Sequence, residues 1–120
     1  MTGAPTMHHL LWPVSDLPSA LAFYVTRLGM ALGFRDGDRF ASVQAGGVTL
    51  ALVAGKEDIT GGVPAPAYKV ADLGSAVAAA QAAGAEIVAG IHPGPHELRA
   101  VIRDPSGHLI VLYQAAETVV

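Results

Sequence analysis

The chain contains no cysteine, which excludes disulfide bonds and thiol catalysis. Charged residues make up only 14% of its 120 residues, and the net charge of −3 leaves no basic surplus for nucleic acid. No apolar run is long enough to cross a bilayer, and the opening MTGAPT lacks the basic start and apolar segment of a signal peptide. We therefore expect a cytoplasmic protein that binds neither nucleic acid nor membrane.

Apolar residues, in contrast, make up 52% of the chain, which is ample for a core and argues against disorder. The segment HLLWPVSDLPSALAFYVTRLGM recurs as APAYKVADLGSAVAAAQAAGAE, with one residue fewer before the closing glycine of the second copy. Each copy has the pattern of a strand, an aspartate helix cap, an amphipathic helix and a glycine stop. Asp16 and Asp72 are therefore interpreted as helix caps rather than catalytic acids.

Three short strands are predicted after each helix, at 31–35, 39–45 and 48–54 and again at 86–91, 98–103 and 108–114. The predicted fold is α+β, with two βαβββ modules forming a curved mixed sheet around a cleft and the helices outside. We predict a flexible leader (1–7), a first module (8–54), a linker loop (55–64), a second module (65–114) and a C-terminal tail (115–120). The modules can pair within one chain or across a dimer.

Three stretches carry a family resemblance. HLLWPVSDLPSALAFYVTRLGM resembles the opening strand and helix of the vicinal oxygen chelate superfamily, also called the glyoxalase/bleomycin-resistance/extradiol-dioxygenase superfamily. RFASVQAGGVTLALVAG is similar to the third and fourth strands of its first module, and RAVIRDPSGHLIVLYQ to the closing hairpin of its second. In this order and spacing they identify the chain as a member from His8 to Gln114.

The resemblance implies a metal site built from the first and last strand of each module. Its four ligand positions fall here on His9, Ala51, Ala65 and Val111. A divalent metal needs several nitrogen or oxygen donors, and three of these side chains offer none. We therefore expect no metal and no cofactor, and the metal-based Lewis-acid mechanism that the resemblance implies is not available to this set.

The loop HPGPHE offers further polar groups at the cleft mouth, namely His92, His96 and Glu97. Its two prolines forbid the helical spacing that a His-x3-His metal pair needs, so a polar ligand group or a solvated turn is favoured. Strand alternation and the family positions predict the ligand-binding residues as His9, Leu11, Phe40, Gln44, Ala51, Ala65, Arg99, Val101, Val111 and Tyr113, with His92 and His96 beside them. Trp12 and Tyr68 have the opposite parity and are predicted to pack against the helices, and His8 is predicted on the surface or on that side.

A mainly apolar pocket with few polar groups suits binding more than chemistry. The first hypothesis is a metal-free small-molecule binding protein. By resemblance to the bleomycin-resistance branch, it would sequester a hydrophobic or aromatic drug or natural product as a homodimer and confer antibiotic resistance. Phe40 and Tyr113 would stack on the ligand, and His9, Gln44 and Arg99 would hold its polar edge.

Two alternatives remain open. One is an enzyme of the same superfamily. It would be a metal-dependent lyase, isomerase or dioxygenase with unusual ligands that include His9 and the His92–Glu97 loop, or a cofactor-free enzyme with His9 as general base. The other is a module whose cleft serves mainly as a subunit interface.

Overall fold

The computed structural model describes residues 4–115, which form eight strands and two α-helices. The strands are β1 (Thr6–Pro13), β2 (Ala31–Asp36), β3 (Phe40–Ala45), β4 (Val48–Val53), β5 (Ala65–Lys69), β6 (Glu86–Pro93), β7 (Glu97–Arg103) and β8 (Leu109–Ala115). The helices are α1 (Leu17–Leu21), which continues as a π-helix (Ala22–Arg27), and α2 (Leu73–Ala82), and a 3-10 turn spans Gly55–Glu57. Positions 1–3 of the predicted leader and 116–120 of the predicted tail lie outside the described residues.

The described residues divide into two compact units, one spanning His9–Ala65 and the other holding residues 4–8 and 66–115. The strand order is β2-β3-β4-β1 in the first module and β5-β8-β7-β6 in the second. In each module one pair is parallel, β1 with β4 and β5 with β8, while the other neighbouring strands are antiparallel. The predicted α+β class, with two βαβββ modules and mixed strand pairing, is confirmed.

The predicted strands agree with the structure to within two residues at each end, except that β1 begins at Thr6, inside the predicted leader. This agreement follows from the glycines and short polar turns that separate the apolar runs. Within residues 4–115, none of the helices has both the length and the apolar character that crossing a membrane requires.

In the first unit, Asp16 is the N-cap of α1, and its carboxylate accepts hydrogen bonds from the backbone N–H of Ser19 at 3.2 Å and from the Ser19 hydroxyl. This confirms the predicted cap. The helix packs on one face of the sheet and forms a core with Leu17, Leu21, Ala41, Val43, Leu50, Leu52 and Ala54. Trp12 lies against this core as predicted, and its Nε1–H donates to the Tyr24 hydroxyl at 2.8 Å.

The continuation of α1 as a π-helix explains the one-residue mismatch between the two copies of the repeat. The N–H of Leu28 donates to the carbonyl of Phe23 at 3.0 Å, a bond five residues back along the chain. The equivalent end of α2 has the ordinary four-residue spacing, with the N–H of Ala83 on the carbonyl of Ala79 at 3.1 Å. The extra residue of the first copy is thus absorbed as one wide turn.

The second unit repeats the same packing. Asp72 caps α2 through the Ser75 N–H at 3.2 Å, and this hydrogen bond lowers the pKa of the Asp72 carboxyl. The core consists of Val70, Leu73, Ala100, Ile102 and Leu112, with Tyr68 against it as predicted. In addition, the Gln114 side chain accepts the Leu73 N–H at 2.7 Å and so ties β8 to the start of α2.

Candidate functional site

The face of the first sheet that points away from α1 carries most of the residues predicted to bind ligand in that half of the chain. Because side chains alternate along a strand, the neighbours of the helix-facing residues lie on this face. They are His9, Leu11, Phe40, Ser42, Gln44, Thr49, Ala51 and Val53. Leu11, Ala51 and Val53 are buried, whereas His9 and Phe40 are partly exposed. Gln44 is exposed, and its amide donates to the Thr49 hydroxyl at 2.9 Å.

An aromatic pair on this half was missed by the sequence reasoning. The ring of Phe34 lies 6.2 Å from that of Phe40, and 60% of Phe34 is exposed. A bulge in β2 interrupts the alternation here, and the Phe34 N–H donates to the Ser42 hydroxyl at 2.8 Å. Gly33 permits this approach, since a Cβ on it would lie 2.7 Å from Ser42 Oγ. Gly33 is the one residue in the sequence that points to this bulge and to the close approach of β2 to Ser42.

In the second unit, the face that points away from α2 holds Arg99, Val101, Val111 and Tyr113, which the sequence predicted. Val101 and Val111 are buried, and Ala67 stands directly opposite Val111. Across β6, β7 and β8 the register places His92 opposite Arg99 and Arg99 opposite Tyr113. We call His92, Arg99 and Tyr113 the polar row.

His92 fixes the orientation of Arg99. Its Nδ1 lies 2.7 Å from the carbonyl oxygen of Gly90, which can only accept, so Nδ1 is the protonated nitrogen. Its Nε2 therefore carries the lone pair and accepts the Arg99 Nε–H at 3.3 Å. Both ring nitrogens of His92 thus have partners within the second unit.

Glu97 is the acidic neighbour of the row. Its Oε1 lies 3.5 Å from Arg99 Nη1, and the side chains of Arg99 and Glu97 are 14% and 27% exposed. Gly94 makes room for the two groups, because a Cβ on it would lie 2.1 Å from Glu97 Oε1 and 3.1 Å from Arg99 Cζ. The Gly94 N–H donates to the Glu97 carbonyl at 2.7 Å and closes the turn. His96, on the same loop, is exposed.

Tyr113 keeps a neutral hydroxyl over a wide pH range. Burial, with a smaller contribution from the charge of Glu97, raises its pKa to about 12. The His8 ring meets it edge to face, with the ring centres 6.0 Å apart. His8 is exposed, as one of its two predicted placements required, but its ring contact is with Tyr113, which points away from α2.

The residues at the family's four metal-ligand positions do not fit a divalent metal. Ala51, Ala65 and Val111 are 2%, 1% and 4% exposed and end in methyl groups, which leaves His9 as the one donor of the set. A divalent cation that gives up its hydration needs several donors in return. Elsewhere in residues 4–115, no three His, Cys, Asp or Glu side chains come together in a way that could hold a metal ion.

A charged hollow of about 420 Å³ lies in the first unit, away from the predicted site. It is lined by the β2–β3 turn, 36–39, and by residues 54–57. Arg39 and Asp36 form an ion pair there at 2.7 Å, and this contact raises the pKa of Arg39. Asp38, which also lines the hollow, pairs with Arg35 outside it at 2.7 Å.

Comparison with known proteins agrees with the fold. Residues 6–112 match the family model of the Glyoxalase/Bleomycin resistance protein/Dioxygenase superfamily. A protein of Mycolicibacterium smegmatis, described as uncharacterized, is 38% identical over 98 residues, or 82% of this chain and 84% of its own.

Two solved structures illustrate the likeness in fold. Methylmalonyl-CoA epimerase from Mycobacterium tuberculosis matches with a TM-score of 0.64 and 23% identity, over 91% of this chain and 87% of that one. The Mn(II)-bound glyoxalase from Novosphingobium aromaticivorans matches with a TM-score of 0.62 and 16% identity, over 100% of this chain and 44% of that one.

Proposed function

The chain belongs to the Glyoxalase/Bleomycin resistance protein/Dioxygenase superfamily, and we propose that this member binds a small organic molecule without a metal ion. The observation that carries the proposal is the donor set. Of the four positions that the family resemblance assigns to metal ligands, only His9 has a donor atom. One imidazole neither offsets the hydration that a divalent cation loses nor fixes its geometry.

The binding energy then comes from apolar contact and from a few placed polar groups. Each Å² of apolar surface removed from water contributes about 25 cal/mol, so a planar ligand of ordinary size gains several kcal/mol from contact alone. In the first unit the rings of Phe34 and Phe40 offer such surface, with the polar Gln44 on the same sheet. In the second unit the ring of Tyr113 does, with Arg99 opposite it on the next strand. A hydrophobic or aromatic drug or natural product fits these groups, and its sequestration would protect the cell.

The superfamily also includes enzymes, as the names of the epimerase and the glyoxalase state. The enzyme alternative with metal ligands from the His92–Glu97 loop is weakened by the engagement of both His92 ring nitrogens. The cofactor-free alternative keeps His9, which is partly exposed, as a general base. The homodimer, the cytoplasmic location and the resistance role remain predictions.

Metal analysis of protein purified without chelator tests the proposal. We expect less than about 0.1 equivalent of any divalent metal and the same content in His9→Ala, because one donor binds metal only weakly. A stoichiometric metal that is lost in His9→Ala would overturn the metal-free function. Turnover of a bound compound that His9→Ala abolishes would favour the cofactor-free enzyme instead.

A further inference from the structure

We propose that the Ser42 hydroxyl donates a hydrogen bond to the ligand, so that the ligand of this protein is an aromatic molecule that carries a carbonyl oxygen. This inference rests on the proposed small-molecule binding function and specifies the class of ligand. The residues that carry it are Ser42, Phe34 and Phe40, with Gln44 and Thr49 beside them, and all of them belong to the first unit.

The first argument is the hydrogen bonding of Ser42. Its Oγ accepts the Phe34 N–H at 2.8 Å. A serine hydroxyl can donate one hydrogen bond as well as accept, and within residues 4–115 this hydroxyl has no acceptor. Ser42 is partly exposed, so its hydrogen is donated to water, which a ligand oxygen can replace.

The second argument is the fixed position of this oxygen. The Phe34 N–H that it accepts belongs to the bulged part of β2, and a Cβ on Gly33 would lie 2.7 Å from Ser42 Oγ. A rotation of the Ser42 side chain would move the oxygen away and break this hydrogen bond. A donor that is already held in place loses little conformational freedom when a ligand binds, which favours affinity.

The third argument is a contrast with the other polar groups of this sheet face. The Gln44 amide donates to the Thr49 hydroxyl at 2.9 Å, and that hydroxyl donates back to the Gln44 carbonyl oxygen at 3.2 Å. The Thr49 hydroxyl therefore has an acceptor within the first unit. Ser42 carries the hydroxyl of this face whose hydrogen is left for a ligand.

The fourth argument concerns the body of the ligand. Phe40 precedes Ser42 by two residues on β3, so their side chains lie on one face about 7 Å apart. The Phe34 ring is 6.2 Å from the Phe40 ring and is 60% exposed. A planar ring that lies against these two side chains therefore brings a carbonyl substituent within reach of Ser42.

Calorimetric titration with 2-acetylnaphthalene and 2-isopropenylnaphthalene tests the proposal. The second compound has a CH₂ group in place of the carbonyl oxygen and so cannot accept a hydrogen bond. We expect Ser42→Ala to weaken binding of the ketone about fivefold, as the loss of one neutral hydrogen bond requires. Binding of the alkene should not change. Phe34→Leu should weaken both compounds alike, because it removes ring surface that both contact.

Thr49→Val is the matched control. It also removes a hydroxyl from this sheet face, but one that already donates to Gln44, so the affinities of ketone and alkene should both remain. If Ser42→Ala fails to fold, the carbonyl stretching frequency of the ketone bound to wild-type protein still decides. A hydrogen bond from the protein lowers this frequency below its value in hexane, and an unshifted frequency would overturn the proposal.

The outcomes separate this proposal from the broader one. If Ser42→Ala weakens ketone and alkene equally, or weakens neither, the hydrogen bond from Ser42 is overturned and metal-free binding is left intact. Ketone binding that appears only after a divalent metal is added overturns the metal-free function. Binding of neither compound overturns the assignment of an aromatic carbonyl ligand.

Discussion

The two modules carry opposite chemistry at the same place in the repeat. The family's last-strand ligand positions are Ala51 and Val111, and the next residue along each strand on that face is Val53 or Tyr113. In the first module Val53 pairs with Phe40, whereas in the second Tyr113 pairs with Arg99. The first module thus presents an aromatic surface at this position and the second a charged row.

The helix-facing sides of the two modules, in contrast, are nearly interchangeable. Leu17 and Leu73 occupy the same helix position, each 1% exposed, and Leu52 and Leu112 lie below them. On both sides the side chains fill a small core between a helix and a sheet, so the same residue types occur in both. The faces that point away from the helices do not share this packing requirement. Their residues accordingly differ, with the Phe34–Phe40 pair on the first module and the polar row on the second.

Truncation of the two core leucines should have the largest effect and should affect both modules alike. Leu17→Ala and Leu73→Ala each remove a fully buried side chain, and we expect each to lower the free energy of unfolding by about 3 kcal/mol. Urea denaturation measures both. A loss below about 1 kcal/mol for one of them would show that the two helix-facing cores are not equivalent.

The titration of Tyr113 should distinguish the second module from the first. The pKa of Tyr113 is about 12 in the folded protein and lies near 10 in an unfolded chain. A raised pKa stabilises the fold fully below pH 10, and this contribution is lost as pH rises from 10 to 12. After discounting for solvent screening we expect a loss of about 1 kcal/mol.

Denaturation at pH 9 and at pH 12 measures this loss, and in Tyr113→Phe this part of it should vanish. Tyr68→Phe removes a hydroxyl from the helix-facing side of the same module and should retain it. Identical pH dependence in wild type and Tyr113→Phe would contradict the assigned environment of Tyr113.

A methyl group at Gly94 should have the smallest effect on stability. Gly94→Ala places a Cβ 2.1 Å from Glu97 Oε1, the flexible end of a side chain that can move into water. We expect a loss of about 0.5 kcal/mol in the free energy of unfolding, measured by urea denaturation, because the contact between Glu97 and Arg99 is lost.

Gly90→Ala is the control for Gly94→Ala, since a Cβ on Gly90 meets nothing within 4 Å. It should not lower the free energy of unfolding. An unchanged free energy of unfolding in Gly94→Ala would mean that the contact between Glu97 and Arg99 adds nothing to stability.

Much of the fold was predictable because its signals are local. The alternation of apolar residues predicted that Trp12 and Tyr68 pack against the helices. Asp16 and Asp72 predicted where the helices start. The π-helix also corresponds to a visible feature of the sequence, the extra residue in the first copy of the repeat.

The site was less predictable because bulges interrupt the alternation that locates side chains. The bulge in β2 brings Phe34 to Phe40, and register shifts in β6 bring His92 opposite Arg99. The sequence also could not reveal that Gly94 makes room for Glu97 and Arg99, since that contact depends on the closed turn.

The effect of a chelator on ligand affinity tests the central claim most directly. An aromatic compound that raises the melting temperature in a thermal-shift screen is titrated into wild-type protein with and without EDTA, and then after addition of Mn²⁺. We predict the same dissociation constant in all three titrations, because Ala51, Ala65 and Val111 offer a metal no donor. A tenfold loss of affinity in EDTA that Mn²⁺ restores would contradict metal-free binding.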